Sequence, residues 1–485
     1  MNPGTVALTI IFALIGAGAL LGLLARGGHQ MDLEQWTVGS RGFGLLMVFL
    51  LMAGEIYTTF AFLGASGWIY AKGAPALYIL AYLPLGQVLA YHLGPAIWQL
   101  GRRHGLQTQA DFFAYRFGGK ALPVLVALIG IAAIIPYLQL QLTGLGIIVE
   151  LASFDRIGRD PAMLLAGVVI GTFVLISGIR AVAAVSILKD FLMLGVVVTV
   201  GLAVPRIHFG GVGAMFARLA ETRPDWLVMP GGTAHLGHLW YVTTVIICSL
   251  GPIWPHGFAA MFTARSGDTL RRNAVVMPLY NLSLVFIFFV GFAALLLYPK
   301  LANGDLSLLT VVRATFPPWF LGIVGGAGAL TAMVPAAVLV LTAATLFAKN
   351  VFRPLCGREL SDAQVGRLAR FIVVCLIAAS LGLALTRSTS LVALLLLGYD
   401  LVSQFFPGIV LGLFWKPVSR AGVLGGIVAG VLVTAFLVLT GRDPLNGWNA
   451  GFLGLVVNFT VTLVVTKWVR APAPGAALGE AVSAR

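Results

Sequence analysis

Charge is what this chain has least of. Only 10% of its 485 residues are charged, 59% are hydrophobic, and the mean hydropathy is +0.98. Soluble domains carry about 25% charged residues, so a water-soluble enzyme or binding module is excluded and a polytopic integral membrane protein is implied. The net charge of +14 does not mark a nucleic-acid partner, because the Lys and Arg residues lie in short segments between apolar runs rather than in one basic patch. Cysteine is scarce as well. Cys248, Cys356 and Cys375 show no CxxC spacing, which leaves neither a disulfide framework nor a zinc site. His235 and His238 stand three apart with no Cys or carboxylate to complete a metal set. No basic residue precedes the first apolar run, Val6–Ala25, and Arg26 and His29 follow it. That charge order opposes a cleaved signal peptide and puts the N-terminus outside. No cluster of His, Cys or paired carboxylates falls at one membrane depth, so the chain is not read as an enzyme. No metal, cofactor or obligatory protein partner is expected.

What is present is a series of apolar runs. Thirteen spans are predicted, at 5–26, 43–70, 75–99, 121–152, 161–179, 182–205, 238–262, 274–298, 318–348, 368–386, 389–415, 420–440 and 447–469. With the N-terminus outside, inside segments carry about twice the Lys and Arg of outside ones, which is the positive-inside pattern and puts the C-terminus in the cytoplasm. The longest outside segment, 207–237, is expected to hold a short surface helix, and 471–485, rich in Ala, Pro and Gly, to be disordered. No soluble domain is expected at either end. GIVGGAGAL (Gly322–Leu330) looks like a phosphate loop, but lies in an apolar span without a Walker lysine, which favours helix packing.

One span is apolar at its ends and polar at its centre. Met52–Gly73, MAGEIYTTFAFLGASGWIYAKG, holds Gly54, Glu55, Tyr57, Thr58, Thr59, Gly64, Ser66 and Gly67. A carboxylate at mid-depth is costly, and such a span reads either as a broken helix lining a site or as a close helix–helix contact of small residues. Glu55 favours the site. A second interruption, IICSLGPIWPHGF (Ile246–Phe258), contains Gly251, Pro252, Pro255 and Gly257, which remove donors and free backbone groups that must face a cavity, a ligand or a helix. Trp254 and His256 lie at this break. The breaks are five spans apart, an odd number, so the second unit runs inverted to the first. Residues 41–206 and 238–416 are the expected five-helix repeats. Residues 1–40 (first helix and loop) and 417–470 (two helices) are peripheral. The other ionisable groups inside spans are Lys189, Asp190 and Asp400, with Glu150 near a helix end. Each reads as functional or as part of a structural pair.

Several segments resemble the sodium:solute symporter family. Gln404–Gly430, QFFPGIVLGLFWKPVSRAGVLGGIVAG, is similar to its Pro…LGLFW…Gly signature, and Thr108–Gly118, TQADFFAYRFG, to its loop ending in Arg-Phe-Gly. Pro255-His256 matches the family's Gln-Pro-His, with Trp254 in place of Gln. Gln141 falls where the family often has Gln, and SGIRAV (Ser177–Val182) looks like its Gly-Leu-Arg-Ala-Val. Glu55–Pro75 most resembles the monocarboxylate and metabolite permease branch. The resemblance implies an all-α, leucine-transporter-like 5+5 core with sodium held by hydroxyls of the ninth span and carbonyls of the second. Here Thr331, Val334 and Pro335 occupy the ninth-span places, and Val and Pro offer no side-chain oxygen. The family's Thr-Asp of the sixth span falls at Val185-Ser186, and Lys189 follows one turn on.

The expected function is therefore secondary active transport by alternating access. The solute is a small organic molecule, most readily a monocarboxylate, because helix N-termini at the breaks favour an anion. Tyr57, Thr58, Thr59, Tyr137, Gln141, Trp254 and His256 are the expected substrate-binding residues. Lys189, Glu55, Asp190, Ser186 and Thr331 are the expected ion-coupling group, and Val334 and Pro335 mark a vacated sodium site. Lys189 is expected against the Gly54–Tyr57 carbonyls, replacing sodium and giving proton-coupled or sodium-independent transport. Its alternatives are simple pairing with Asp190 or snorkelling. A sodium-coupled symporter of an amino acid or other metabolite, with Glu55 holding an ammonium, is the other reading, and a transporter-fold sensor a third. A bacterial inner membrane is the expected location.

Overall fold

The computed structural model describes residues 2–26, 39–176, 179–232, 236–356, 361–386 and 389–469. His29, Ser177, Gly178, His235 and the expected tail 471–485 lie outside the described residues. Helices dominate, because each apolar stretch must satisfy its own backbone in hydrocarbon. In chain order they are α1 (Pro3–Arg26), α2 (Leu45–Ile56), α3 (Phe60–Lys72, opening with a π-turn), α4 (Tyr78–His104) and α5 (Gln109–Phe117). Then come α6 (Ala121–Ala152), α7 (Arg159–Ile176), α8 (Ile179–Phe209), α9 (Val212–Thr222), α10 (His238–Cys248) and α11 (Pro255–Thr263). The second half holds α12 (Gly267–Asn281), α13 (Leu284–Leu297), α14 (Ser307–Thr315), α15 (Pro318–Thr345) and α16 (Asp362–Thr386). It closes with α17 (Leu391–Val402), α18 (Phe406–Phe414), α19 (Arg420–Leu439) and α20 (Ala450–Trp468).

Ten spans among the described residues are long and apolar enough to cross a membrane, and two bent pairs bring this to twelve. The pairs are α2 with α3, bent by 54°, and α10 with α11, bent by 44°. These are the two interruptions expected from sequence. The fifth expected span corresponds to α7, an 18-residue helix reaching the edge of a described stretch, and is not among the twelve counted over the described residues. The segment 207–237 carries α9, mostly exposed, as a surface helix does.

The core sits on α15, nearly all of whose residues are buried. Its glycines let α1 approach closely: a Cβ on Gly322 would lie 2.9 Å from the Ala7 carbonyl, and one on Gly326 would lie 2.4 Å from Leu14. The Gly-rich run is thus a helix-packing face. Around this core, α6, α8, α2 and α11 pack against α15 and carry the polar groups of the interior.

Candidate functional site

The first break frees the backbone groups at the end of α2. Tyr57 leaves the helix in an extended conformation and Thr59 re-enters it. Nearly every carbonyl there has a named partner. Ala53 O accepts from Tyr57 N at 3.0 Å, Ile56 O from Thr58 N at 3.2 Å, and Glu55 O from the Tyr137 hydroxyl at 3.2 Å. Gly54 O and Tyr57 O both accept from Lys189 Nζ, at 3.1 and 3.0 Å. The third Lys189 contact is Asp190 Oδ1 at 2.9 Å, and the lysine is fully buried. An ammonium has three protons, and here each has an acceptor. Asp190 Oδ1 also accepts from the Tyr280 hydroxyl at 3.0 Å.

Gly54 is needed at this point. A Cβ there would lie 2.9 Å from Ser186 Oγ and 3.3 Å from Val334 Cγ1. Strands of chain from the second, sixth and ninth spans therefore meet where the resemblance puts a sodium ion. Ser186 and Thr331 donate to carbonyls of their own helices, Val182 O at 3.1 Å and Ala327 O at 2.7 Å, and neither is bonded to Lys189. Val334 and Pro335 are buried on α15 and bring no side-chain oxygen.

On the other side of the break is a cavity of about 100 Å³. Glu55, Tyr137, Trp254 and His256 line it, together with Phe60, Tyr82, Gln87, Cys248 and Tyr399. Trp254 packs edge-on to Tyr137 (ring centroids 5.4 Å apart) and to Tyr399 (5.3 Å). Two polar atoms at the cavity have no partner: Glu55 Oε1 and His256 Nδ1. No Lys or Arg lines it among the described residues.

Four expected substrate residues lie elsewhere. Tyr57 turns to α12 and the turn after it, bonding the Ser283 hydroxyl and packing on Tyr280. Thr58 Oγ1 accepts from Phe60 N at 3.1 Å, capping the re-entering helix. Thr59 donates to Gln141 Oε1 at 2.8 Å and, through its amide, at 3.3 Å, so the break engages the Gln141 carbonyl, while its buried Nε2 has no partner. Beside the break these polar groups bond the chain itself: Thr58 Oγ1 and Gln141 Oε1 each accept from a freed amide, and the Thr59 hydroxyl donates to Gln141. Sequence reasoning missed Tyr82, Tyr399 and Cys248, which sit in apolar runs and read as core. Asp400 is buried near the cavity wall, against Gly451, with Oδ1 unpartnered.

The TQADFFAYRFG segment forms α5 and ties three spans at one end of the molecule. Asp111 bonds Lys349 at 2.8 Å and Asn350 at 2.8 Å, Gln109 donates to Ile253 O in the second break, and Arg116 donates to Gly412 O at 2.8 Å. Burial alone would push the Asp111 carboxyl up, but Lys349, Asn350 and the Gln107 amide together hold it below the usual carboxylate range.

Two bent helices facing one cavity, beside a buried charge at their unwound backbone, define a membrane transporter of the broken-helix kind. The model of the sodium:solute symporter family matches residues 36–430. The chain belongs to that family and is a secondary symporter, not an enzyme. An uncharacterized symporter of Bacillus subtilis, YhjB, is 42% identical over 478 residues, covering 96% of this chain and 97% of the relative. A monocarboxylate transport permease of Rhizobium johnstonii is 27% identical, covering 91% and 92%. A Na+-coupled sialic acid symporter in an outward-open state shares the fold at 15% identity, with TM-score 0.76 and coverage of 98% and 99%.

Proposed function

We propose that the protein carries a small monocarboxylate by proton-coupled or sodium-independent transport, with Lys189 standing where a sodium ion would. The observation that supports this reading is the Lys189 ammonium at Gly54 O and Tyr57 O, beside Ser186 and Val334. A fixed ammonium satisfies the carbonyls of the break as a cation does. The monocarboxylate is favoured by the name of the Rhizobium relative and by a cavity suited to a small, partly apolar solute. Tyr137, Trp254 and His256 are the substrate wall. The charge pattern of the short loops favours an outside N-terminus and cytoplasmic C-terminus, and the bacterial relatives favour a bacterial inner membrane.

Proteoliposomes given labelled L-lactate, acetate or L-alanine test this. The expected result is accumulation of an acid under an inside-alkaline gradient, with sodium absent. Uptake that follows a sodium gradient and ignores pH refutes it. The second reading, a sodium-coupled amino-acid symporter with Glu55 holding the ammonium, draws on the unpartnered Glu55 oxygen in an aromatic-walled cavity. It requires saturable L-alanine uptake and none of lactate.

A further inference from the structure

The cavity contains a carboxyl and, among the described residues, no Lys or Arg to match it. Glu55 lines it with Oε1 shut off from solvent and without a partner. The neighbouring cation, Lys189, lies within electrostatic reach, but its three protons are committed to Asp190, Gly54 O and Tyr57 O. Lys189 and Asp190 cancel each other's charge, which leaves Glu55 as the surplus carboxyl. The Tyr137 hydroxyl donates to the Glu55 backbone oxygen, not to its carboxyl.

The titratable groups around Glu55 come from every wall. Lys189 and Asp190 belong to α8 and Tyr280 to α12. Tyr137 of α6 and His256 of α11 border the cavity directly, and Tyr82, Cys248 and Tyr399 close it beyond them. None of the cavity-lining groups supplies a fixed positive charge.

A bare carboxylate is disfavoured in such surroundings, and it would repel a carboxylate solute. Two carboxyl groups that share one proton carry one negative charge instead of two, which removes their repulsion and spreads the remaining charge over a hydrogen bond. We propose that Glu55 binds the substrate's carboxylate through a single shared proton, so that one proton enters with each monocarboxylate anion. The Glu55 O–H donates to a substrate oxygen and no covalent bond to carbon changes. Solute and proton then cross together without net charge, while the Lys189–Asp190 pair keeps its proton throughout. This inference rests on the monocarboxylate reading and moves the transported proton from Lys189 to Glu55.

The test uses the full-length protein in proteoliposomes with labelled L-lactate, comparing wild type with Glu55→Gln and Glu55→Asp. In wild type, lactate affinity falls by about tenfold per pH unit once the shared proton titrates, the slope of one linked proton. Accumulation follows a pH gradient and does not respond to membrane potential. Glu55→Gln replaces the O–H by an amide donor. It binds lactate more weakly than wild type at low pH, with an affinity that no longer varies with pH, and a pH gradient drives no accumulation. Glu55→Asp restores the pH-driven accumulation in part. A melting temperature for Glu55→Gln near that of wild type establishes that it folds. The inference is overturned if Glu55→Gln accumulates lactate under a pH gradient as wild type does. It is equally overturned if wild-type lactate uptake carries net charge, or if folded Glu55→Gln binds no lactate at any pH. Failure of the underlying reading has a different signature, visible in wild type alone: lactate uptake that needs sodium, or L-alanine uptake with none of lactate.

Discussion

Replacing Lys189 by alanine removes one side chain and strands three acceptors. Asp190, with Oδ2 already unpartnered, loses its counter-ion at 2.9 Å and keeps only the Tyr280 hydroxyl. Breaking a buried pair in this way costs about 3–5 kcal/mol, because a charge remains in the interior without compensation. Gly54 O and Tyr57 O lose their donor as well, and each orphaned acceptor costs about 1–3 kcal/mol. These terms overlap, since the bend can relax once the lysine is gone, so about 3 kcal/mol is the floor. Against a total stability of about 5–15 kcal/mol, that is a large loss. The measurement is reversible unfolding of the detergent-solubilised protein, with Lys189→Ala, Asp190→Asn and the double variant forming a cycle. The double variant should be more stable than Lys189→Ala alone, because it removes the stranded charge. Lys189→Ala within about 0.5 kcal/mol of wild type, or a cycle with no coupling, would refute the assignment of Lys189 as the cation that holds the break. Unchanged pH-driven uptake by a folded Lys189→Ala would separately remove it from transport.

Three further outcomes follow from single residues. A Cβ at Gly398 would lie 2.4 Å from the Trp254 ring, so Gly398→Ala should push the indole toward the cavity and raise the KM for the solute severalfold, at an overpacking cost of about 1–3 kcal/mol. Asp111 is held ionised by Lys349 and its neighbours. Its contribution is therefore present above the unfolded carboxylate value, about pH 4, and is lost as pH falls below it. Asp111→Asn should flatten that acid limb in a melting-temperature series while lowering stability at neutral pH by about 1.5–3 kcal/mol. Asp305 has the opposite sign. Burial pushes its carboxyl up to about 6, against the Leu391 N–H donating to Oδ2 at 3.0 Å and the Arg159 charge. Ionising it costs the folded state, so stability falls as pH rises from about 4 to about 6. Asp305→Asn should remove that fall, and an identical slope in the variant would sink the assignment.

Much of this molecule was legible in one dimension. Glu55, Gly54 and three hydroxyls inside an apolar run, and Gly251, Pro252, Pro255 and Gly257 inside another, are expensive in hydrocarbon, and the two bends lie at those places. Lys189 was visible for the same reason, and its contact with the Gly54 and Tyr57 carbonyls followed from asking what could replace sodium there. Less legible was which polar group serves the protein and which faces the cavity. Thr58, Thr59 and Gln141 carry the same chemistry as binding residues, but Thr58 Oγ1 and Gln141 Oε1 accept from amides of the break and the Thr59 hydroxyl donates to Gln141. Tyr82 and Tyr399 carry no mark in an apolar helix, because a tyrosine there reads as packing.

The sequence by itself determined the solvent, the helical class and the positions of the breaks, because each depends on the local cost of a residue in hydrocarbon. Only the tertiary structure decided the allocation of partners across the break, since hydrogen bonds between spans far apart in sequence leave no local trace. It put Lys189 on one side with every proton engaged, and Glu55 on the other with an oxygen to spare.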